Sequence, residues 1–106
     1  MNLIRRIQRK RTKGWKMPRN TVYVGRPGYF GNPFQGPHAA IDYRKWLDGR
    51  MRRAEFDRKN TRPFVHHFDK ANVWREMPAL RGKNLCCWCG PLHSCHADVL
   101  LELANR

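Results

Sequence analysis

Two short segments dominated by apolar residues predict β-strands. Residues 21–24 are Thr, Val, Tyr and Val, an enrichment in β-branched and aromatic side chains that is typical of strands. Residues 83–89 form the second predicted strand. Because successive side chains of a strand point to opposite faces, Cys87 and Cys89 should share one face, and Cys86 and Trp88 the other.

Two longer segments repeat apolar residues at helical spacing. Residues 38–53, which follow Pro37, are predicted to form a helix with the apolar stripe Ala39, Tyr43, Trp46, Leu47 and Met51. A final helix is predicted over residues 95–105, with Ser94 as its N-cap and Asp98 in its first turn, where a negative charge suits the helix dipole. We expect its buried stripe to comprise Val99, Leu100, Leu103 and Ala104.

The middle of the chain has a weaker pattern. Residues 52–62 are polar and basic without helical or strand period, which indicates a loop or a frayed helix end. Residues 63–68 are consistent with a short strand or with the approach to a helix over residues 69–77. Pro78 should end whichever structure precedes it.

The order of these elements predicts a small single α/β domain with a few mainly parallel strands and flanking helices. A chain of 106 residues is enough for one domain, which we place at residues 21–106, preceded by a basic N-terminal arm over residues 1–20. Within the arm, Leu3, Ile4 and Ile7 suggest one apolar side of a short basic helix. No apolar run is long enough for a membrane span or resembles a secretory signal, so we expect a cytoplasmic location.

Charge is distributed unevenly along the chain. The net charge is +14, and residues 1–41 contain nine Lys or Arg and no Asp or Glu. Clustered cations attract polyanions, which favours nucleic acid or a nucleotide as the partner, the alternative being a solvated tail. Arg11, Lys13 and Trp15 are the candidate contacts in the arm. A lone Trp more often anchors a segment to its domain.

A loop rich in Gly and Pro follows the first predicted strand. Gly25, Gly28 and Gly31 precede a helix, a context in which backbone amides bind phosphate, and Arg26 adds a fork-shaped phosphate ligand. Asn32 is suited to a base edge or a ribose. The glycine spacing matches neither the dinucleotide-binding nor the Walker motif, so a packed structural loop explains it equally well.

All four cysteines lie in residues 86–95, followed by His96. The first interpretation is a zinc site formed by Cys87, Cys89, Cys95 and either His96 or His93, although the C-x-C spacing is unusual. Because parallel strands end at one edge of a sheet, the cysteine segment should lie near the Gly- and Pro-rich loop that contains Arg26, which we call the Arg26 loop.

Two other interpretations of the same segment stay open. Cys95 at a helix start is a candidate nucleophile, because backbone amides lower a thiol pKa there, with His96 as proton acceptor and Asp98 as an orienting group. Alternatively, the cysteines are small buried residues with no chemical role.

These motifs resemble a small domain family of unknown function found in phages and bacteria. The resemblance covers nearly the whole chain and rests on five blocks, Arg11-Thr12-Lys13-Gly14-Trp15, Val22-Tyr23-Val24-Gly25-Arg26-Pro27, Gly31-Asn32-Pro33-Phe34, Leu80-Arg81-Gly82-Lys83-Asn84-Leu85, and Cys87-Trp88-Cys89 with Cys95-His96-Ala97-Asp98-Val99-Leu100. It implies a phage or mobile-element protein working in the host cytoplasm, and it implies no activity.

Three classes of function are therefore open. The first is binding of nucleic acid or a nucleotide through the basic arm and the Arg26 loop, with zinc or the cysteines nearby. The second is an enzyme acting on a nucleotide, nucleoside or nucleic-acid base, with Cys95, His96 and Asp98 in the active site. The third is a host-interaction protein that uses its charge to occupy a nucleic-acid groove on a host factor.

Overall fold

The computed structural model describes residues 4–26, 28–60, 68–90 and 92–106. Three parallel strands form one sheet, namely β1 (Arg6–Gln8), β2 (Thr21–Tyr23) and β3 (Asn84–Cys87). Four helices flank it, namely α1 (Ala39–Leu47), α2 (Arg53–Lys59), α3 (Lys70–Glu76) and α4 (His96–Ala104). A 3-10 helix, Met77–Leu80, follows α3. The prediction of an α/β domain with parallel strands is confirmed.

The central strand organises the core. The sheet order is β1-β3-β2, and Leu85, Cys86 and Cys87 of β3 are buried, as expected for a parallel strand with neighbours on both sides. Most of the core lies between the sheet and the helices, with the largest fully buried side chains at Tyr43, Leu80, Leu85, Leu100, Val24 and Val73.

The prediction of a short basic helix near the N-terminus is wrong. Arg6–Gln8 is instead an edge strand, with Arg6 opposite Leu85 and Gln8 opposite Cys87 of β3. The segment expected to be an arm therefore contributes a strand to the sheet. Three residues are too few to show a strand pattern. The strand forms because it pairs with β3, almost eighty positions away along the chain.

The helix expected over residues 38–53 ends earlier than predicted. α1 ends at Leu47, and Gly49 has a φ of +78°, a backbone conformation that suits glycine and ends the helix. The loop or frayed helix end expected over residues 52–62 contains α2, a full helix. Its only buried residue, Phe56, stacks on Trp46 with ring centroids 5.4 Å apart.

Ion pairs with α1 also hold α2 in place. Because charged side chains make these contacts, α2 does not need a stripe of apolar residues, and its sequence shows none. Lys59 Nζ lies 3.0 Å from Asp42 Oδ1, and Lys45 Nζ lies 2.8 Å from Glu55 Oε2. α3 matches the helix predicted over residues 69–77, and Pro78 lies inside the 3-10 helix that follows. The strand considered over residues 63–68 lies almost wholly outside the described residues.

The final helix begins one residue later than predicted. Cys95, and not Ser94, is the N-cap, and its Sγ accepts a hydrogen bond from the backbone N–H of Ala97 at 3.5 Å. Among the described residues, no helix is both long and apolar enough to cross a membrane.

Candidate functional site

A cavity of about 660 Å³ lies at the carboxyl edge of the sheet. The segments that follow β2 and β3 both line it, together with the start of α4. The residues of interest on its wall are Tyr23, Gly25, Arg26, Asn32, Cys87, Trp88, Cys89, His93, Cys95 and His96. The two loops that the sequence singled out therefore share one cavity, as the parallel topology leads one to expect.

Three cysteines lie together on the wall of this cavity. The Sγ atoms of Cys87, Cys89 and Cys95 lie within 4.8 Å of one another, and this group could hold a metal ion. The Sγ atoms of Cys87 and Cys95 are 3.0 Å apart, and all four cysteines of the chain are free. Cys86 is fully buried and outside this group, which agrees with the alternation along the strand.

The guanidinium of Arg6 contacts both the cysteine cluster and the loop that carries it. Arg6 donates to Cys87, and its Nη2 donates to the carbonyl oxygens of His93 at 2.8 Å and Gly90 at 3.2 Å. Its Nε lies 3.2 Å from Asp98 Oδ1. Arg6 was not among the predicted site residues, because its position depends on the pairing of β1 with β3.

These contacts make the three thiols unequal. The Cys95 thiol donates to Cys87, and with the donation from Arg6 this lowers the pKa of Cys87 to about 6, against the opposing effect of burial. The same hydrogen bond, together with burial, raises the pKa of Cys95. Burial also raises the pKa of Cys89. The geometry therefore favours Cys87 as the ionised thiol, whereas the sequence pattern had pointed to Cys95.

His96 is buried behind the cysteines. Its Nε2 lies 2.7 Å from the carbonyl oxygen of Val24 and donates to it, which leaves Nδ1, 3.5 Å from Cys95 Sγ, as the acceptor. Burial lowers the pKa of His96 to about 4, so the ring is neutral at pH 7. The ring nitrogens of His96 do not belong to the group of three Sγ atoms that lie within 4.8 Å of one another. Asp98, which we expected to orient a catalytic histidine, is exposed and pairs with Arg6.

The Gly/Pro loop is held by its own residues. The Nδ2 of Asn32 donates to the carbonyl oxygen of Ala39 at 3.1 Å, and its Oδ1 accepts from the backbone N–H of Phe34 at 3.0 Å. Gly25 is buried, and a Cβ there would lie 2.3 Å from the phenol oxygen of Tyr23. Both residues thus have structural roles in addition to their place on the cavity wall.

The predicted contacts of the arm lie outside the cavity. Arg11, Lys13 and Trp15 are not among the described residues that line it. Arg11 and Lys13 are exposed, whereas Trp15 is half-buried. The guanidinium of Arg11 lies over the ring of Trp88, 4.7 Å from its centroid.

The profile of one protein family, described as a domain of unknown function (DUF4326), matches residues 7–106. The chain belongs to the DUF4326 family. The match begins inside β1 and runs to residue 106, so it includes β2, β3 and every described residue that lines the cavity. No curated protein and no solved structure matches the chain.

Membership of the DUF4326 family agrees with the resemblance to a domain of unknown function. The phage or mobile-element origin and the cytoplasmic location stay predictions. What this DUF4326 domain does must be inferred from the chemistry of its cavity.

Proposed function

We propose that the domain binds a phosphate-bearing ligand, a nucleotide or the end of a nucleic-acid strand, in the cavity, with zinc held by Cys87, Cys89 and Cys95 on its wall. The observation that carries this proposal is that Arg26 and the cysteine cluster line the same cavity. Its volume of about 660 Å³ suits a small-molecule ligand.

The phosphate part of the proposal rests on positive charge at the cavity. Arg26 lies on the wall, and its planar guanidinium can donate two parallel hydrogen bonds to a phosphate. Arg6 lies beside Cys87, and the surrounding N-terminal segment adds only positive formal charge. An anionic ligand is therefore attracted to this edge of the sheet.

The metal part rests on the chemistry and spacing of the donors. Thiolates are preferred zinc ligands, and in a tetrahedral site with Zn–S bonds of about 2.3 Å the sulfur atoms lie about 3.8 Å apart. The three Sγ atoms lie within 4.8 Å of one another, with Cys87 and Cys95 3.0 Å apart, so their spacing is of the size that such a site requires. The positive charge of Arg6 offsets the net negative charge of three thiolates with a divalent ion.

The fourth zinc ligand is left open by this arrangement. His96, which we expected to complete the set, donates from Nε2 to Val24, and its Nδ1 lies 3.5 Å from Cys95 Sγ but outside the group within 4.8 Å. His93 lines the cavity and is the second histidine candidate. With three cysteines alone, a bound zinc would keep one position for another ligand, an arrangement typical of zinc sites that contact a bound molecule.

Metal analysis of the purified protein tests the metal part directly. We expect about one zinc per chain, and removal by a chelator should lower the melting temperature, because metal binding stabilises the fold. Cys87→Ser and Cys95→Ser should both lose the metal, whereas Cys86→Ser should keep it. Protein that contains no metal and takes none up from solution would refute this part.

Calorimetric titration with a panel of mononucleotides tests the ligand part. We expect Arg26→Ala to weaken binding about tenfold or more, since a charged hydrogen bond contributes roughly 1.5–3 kcal/mol. The matched control is Arg81→Ala, because Arg81 is exposed and precedes the opposite end of β3. Equal affinities for both variants and the unaltered protein would contradict the role of Arg26.

The second candidate function is thiol chemistry on a nucleotide, nucleoside or base. The contacts of Arg6 and Cys95 with Cys87 favour it, and they make Cys87 the attacking group in place of Cys95. Mass spectrometry after brief alkylation distinguishes this candidate from the metal site. A metal-free protein should be modified first at Cys87, whereas a zinc-bound protein should resist modification at all three clustered cysteines.

A further inference from the structure

A row of alternating aromatic rings and arginines lies at the rim of the cavity. The guanidinium of Arg9 is 4.6 Å from the ring centroid of Tyr23 and 5.2 Å from that of Trp88, and the guanidinium of Arg11 is 4.7 Å from the ring centroid of Trp88. We call Tyr23, Arg9, Trp88 and Arg11 the cation–aromatic row. Tyr23 and Trp88 also line the cavity, so the row continues the cavity wall outward.

The parallel sheet assembles this row. Arg9 directly follows β1, Tyr23 is the last residue of β2, and Trp88 directly follows β3. The backbone N–H of Arg9 donates to the carbonyl oxygen of Cys87 at 2.6 Å, which extends the ladder between β1 and β3 and fixes Arg9 beside Trp88. Three of its four members, Arg9, Tyr23 and Trp88, therefore lie at the ends of the three strands, which position them at the carboxyl edge.

The row is accessible and surrounded by positive charge. Trp88 is 40% exposed, although it is a large aromatic residue of a small domain. Arg11 and the neighbouring Lys10, Lys13 and Lys16 are exposed, and residues 4–26 contain no acidic residue. Such a surface is complementary to a flexible polyanion that also carries flat rings.

We propose that the cation–aromatic row is a stacking platform for a single strand of nucleic acid whose terminal nucleotide enters the cavity. Every base offers a flat face to an aromatic ring or a guanidinium plane, so stacking needs no particular base sequence. The exposed lysines contact the phosphates. The proposal deepens the proposed function, on which its placement of the terminal nucleotide rests.

A single strand fits this surface better than a duplex. The faces of duplex bases are covered by their neighbours, so a duplex can use the lysines but cannot use the rings. Binding through charge alone would make the two forms compete as equals or favour the duplex, which has the higher charge density. Preference for single strands is therefore the signature of stacking.

Fluorescence anisotropy with labelled ten-nucleotide DNA, ten-nucleotide RNA and a matched DNA duplex tests the proposal on the whole chain. We expect the single strands to bind more tightly than the duplex. Trp88→Leu should weaken single-strand binding about tenfold, the effect of removing one aromatic stacking partner. Trp88→Phe keeps a ring and should restore most of the affinity. The better-bound of DNA and RNA identifies the strand, and either preference supports the proposal.

Arg11→Lys gives a second and milder test, because it keeps the charge but removes the guanidinium plane. We expect weaker single-strand binding with an unchanged salt dependence, since the number of neutralised phosphates stays the same. Trp74→Phe is the matched control: Trp74, on α3, is 43% exposed and outside the row, and this variant should bind like the unaltered protein.

The results separate this proposal from the proposed function. Single-strand binding that is insensitive to both Trp88→Leu and Arg11→Lys, or a preference for the duplex, would overturn the stacking platform. This holds whether or not the protein binds mononucleotides. Single-strand binding that depends on Trp88, in a protein that binds no mononucleotide, would support the platform and overturn the proposed function of the cavity.

Discussion

The hydroxyl of Tyr43 provides the sharpest test of how the cavity wall is held. Tyr43 is fully buried on α1, and its hydroxyl donates to the carbonyl oxygen of Phe30 in the Gly/Pro loop at 2.8 Å. Burial raises the pKa of this phenol, so it stays a hydrogen-bond donor at neutral and mildly alkaline pH. Its ring also packs edge-on against His96, with centroids 5.1 Å apart.

Tyr43→Phe keeps the ring and removes only this donor. The Phe30 carbonyl then loses its partner in a half-buried position, and we expect a loss of about 1–2 kcal/mol in the free energy of unfolding. For a domain of this size that corresponds to a fall of about 4–8 °C in melting temperature. Hydrogen exchange should increase at the amides of residues 28–34, because the loop is released from α1.

Chemical denaturation monitored by circular dichroism measures the effect. The control is Tyr29→Phe, because Tyr29 lies in the same loop and is 60% exposed, so its midpoint should move little. If Tyr43→Phe unfolds at the same denaturant concentration as the unaltered protein, the hydrogen bond to Phe30 does not hold the loop against α1.

Two further substitutions test the packing of the site and of the core. Gly25→Ala would place a methyl group 2.3 Å from the phenol oxygen of Tyr23, so we expect a loss of about 1–3 kcal/mol in unfolding experiments, whereas Gly28→Ala, whose nearest atom would be 3.5 Å away, should be tolerated. Leu100→Ala removes a fully buried side chain of α4 and should lower the free energy of unfolding by about 2–5 kcal/mol. The same change at Leu92, which is 96% exposed, should have almost no effect on stability, and similar thermal melts for the two leucine variants would contradict the assigned core.

The outcome of the metal analysis decides how the cysteine cluster should be understood. If zinc is bound, Arg6 would offset the negative charge of the three thiolates, and the metal would be held on the cavity wall. Without metal, the same guanidinium and the Cys95 thiol hold the pKa of Cys87 below its ordinary value. The metal-bound and the metal-free protein both place the three cysteines on the cavity wall, so the cluster is part of the cavity in either state.

The sequence by itself determined the architecture and the position of the chemistry. Residue composition located β2 and β3, apolar spacing located α1 and α4, and the order of these elements implied a parallel sheet. The alternation of side chains along a strand separated Cys87 and Cys89 from Cys86. Because parallel strands end at the same edge, the Arg26 loop could be expected beside the cysteines, and one cavity contains both. Each of these inferences depends on local spacing or on topology.

Only the tertiary structure decided which residues act together. Arg6 reaches Cys87 because β1 pairs with a strand almost eighty residues away, and three residues of an edge strand have no periodicity that reveals this pairing. α2 is stabilised by ion pairs with α1 and by the stacking of Phe56 on Trp46, so its own sequence does not predict it. His96 donates from Nε2 to Val24, 72 positions away, which fixes the orientation of the buried ring and sets Nδ1 toward Cys95. Long-range hydrogen bonds and burial set the charge and reach of a side chain, and these do not exist until the chain has folded.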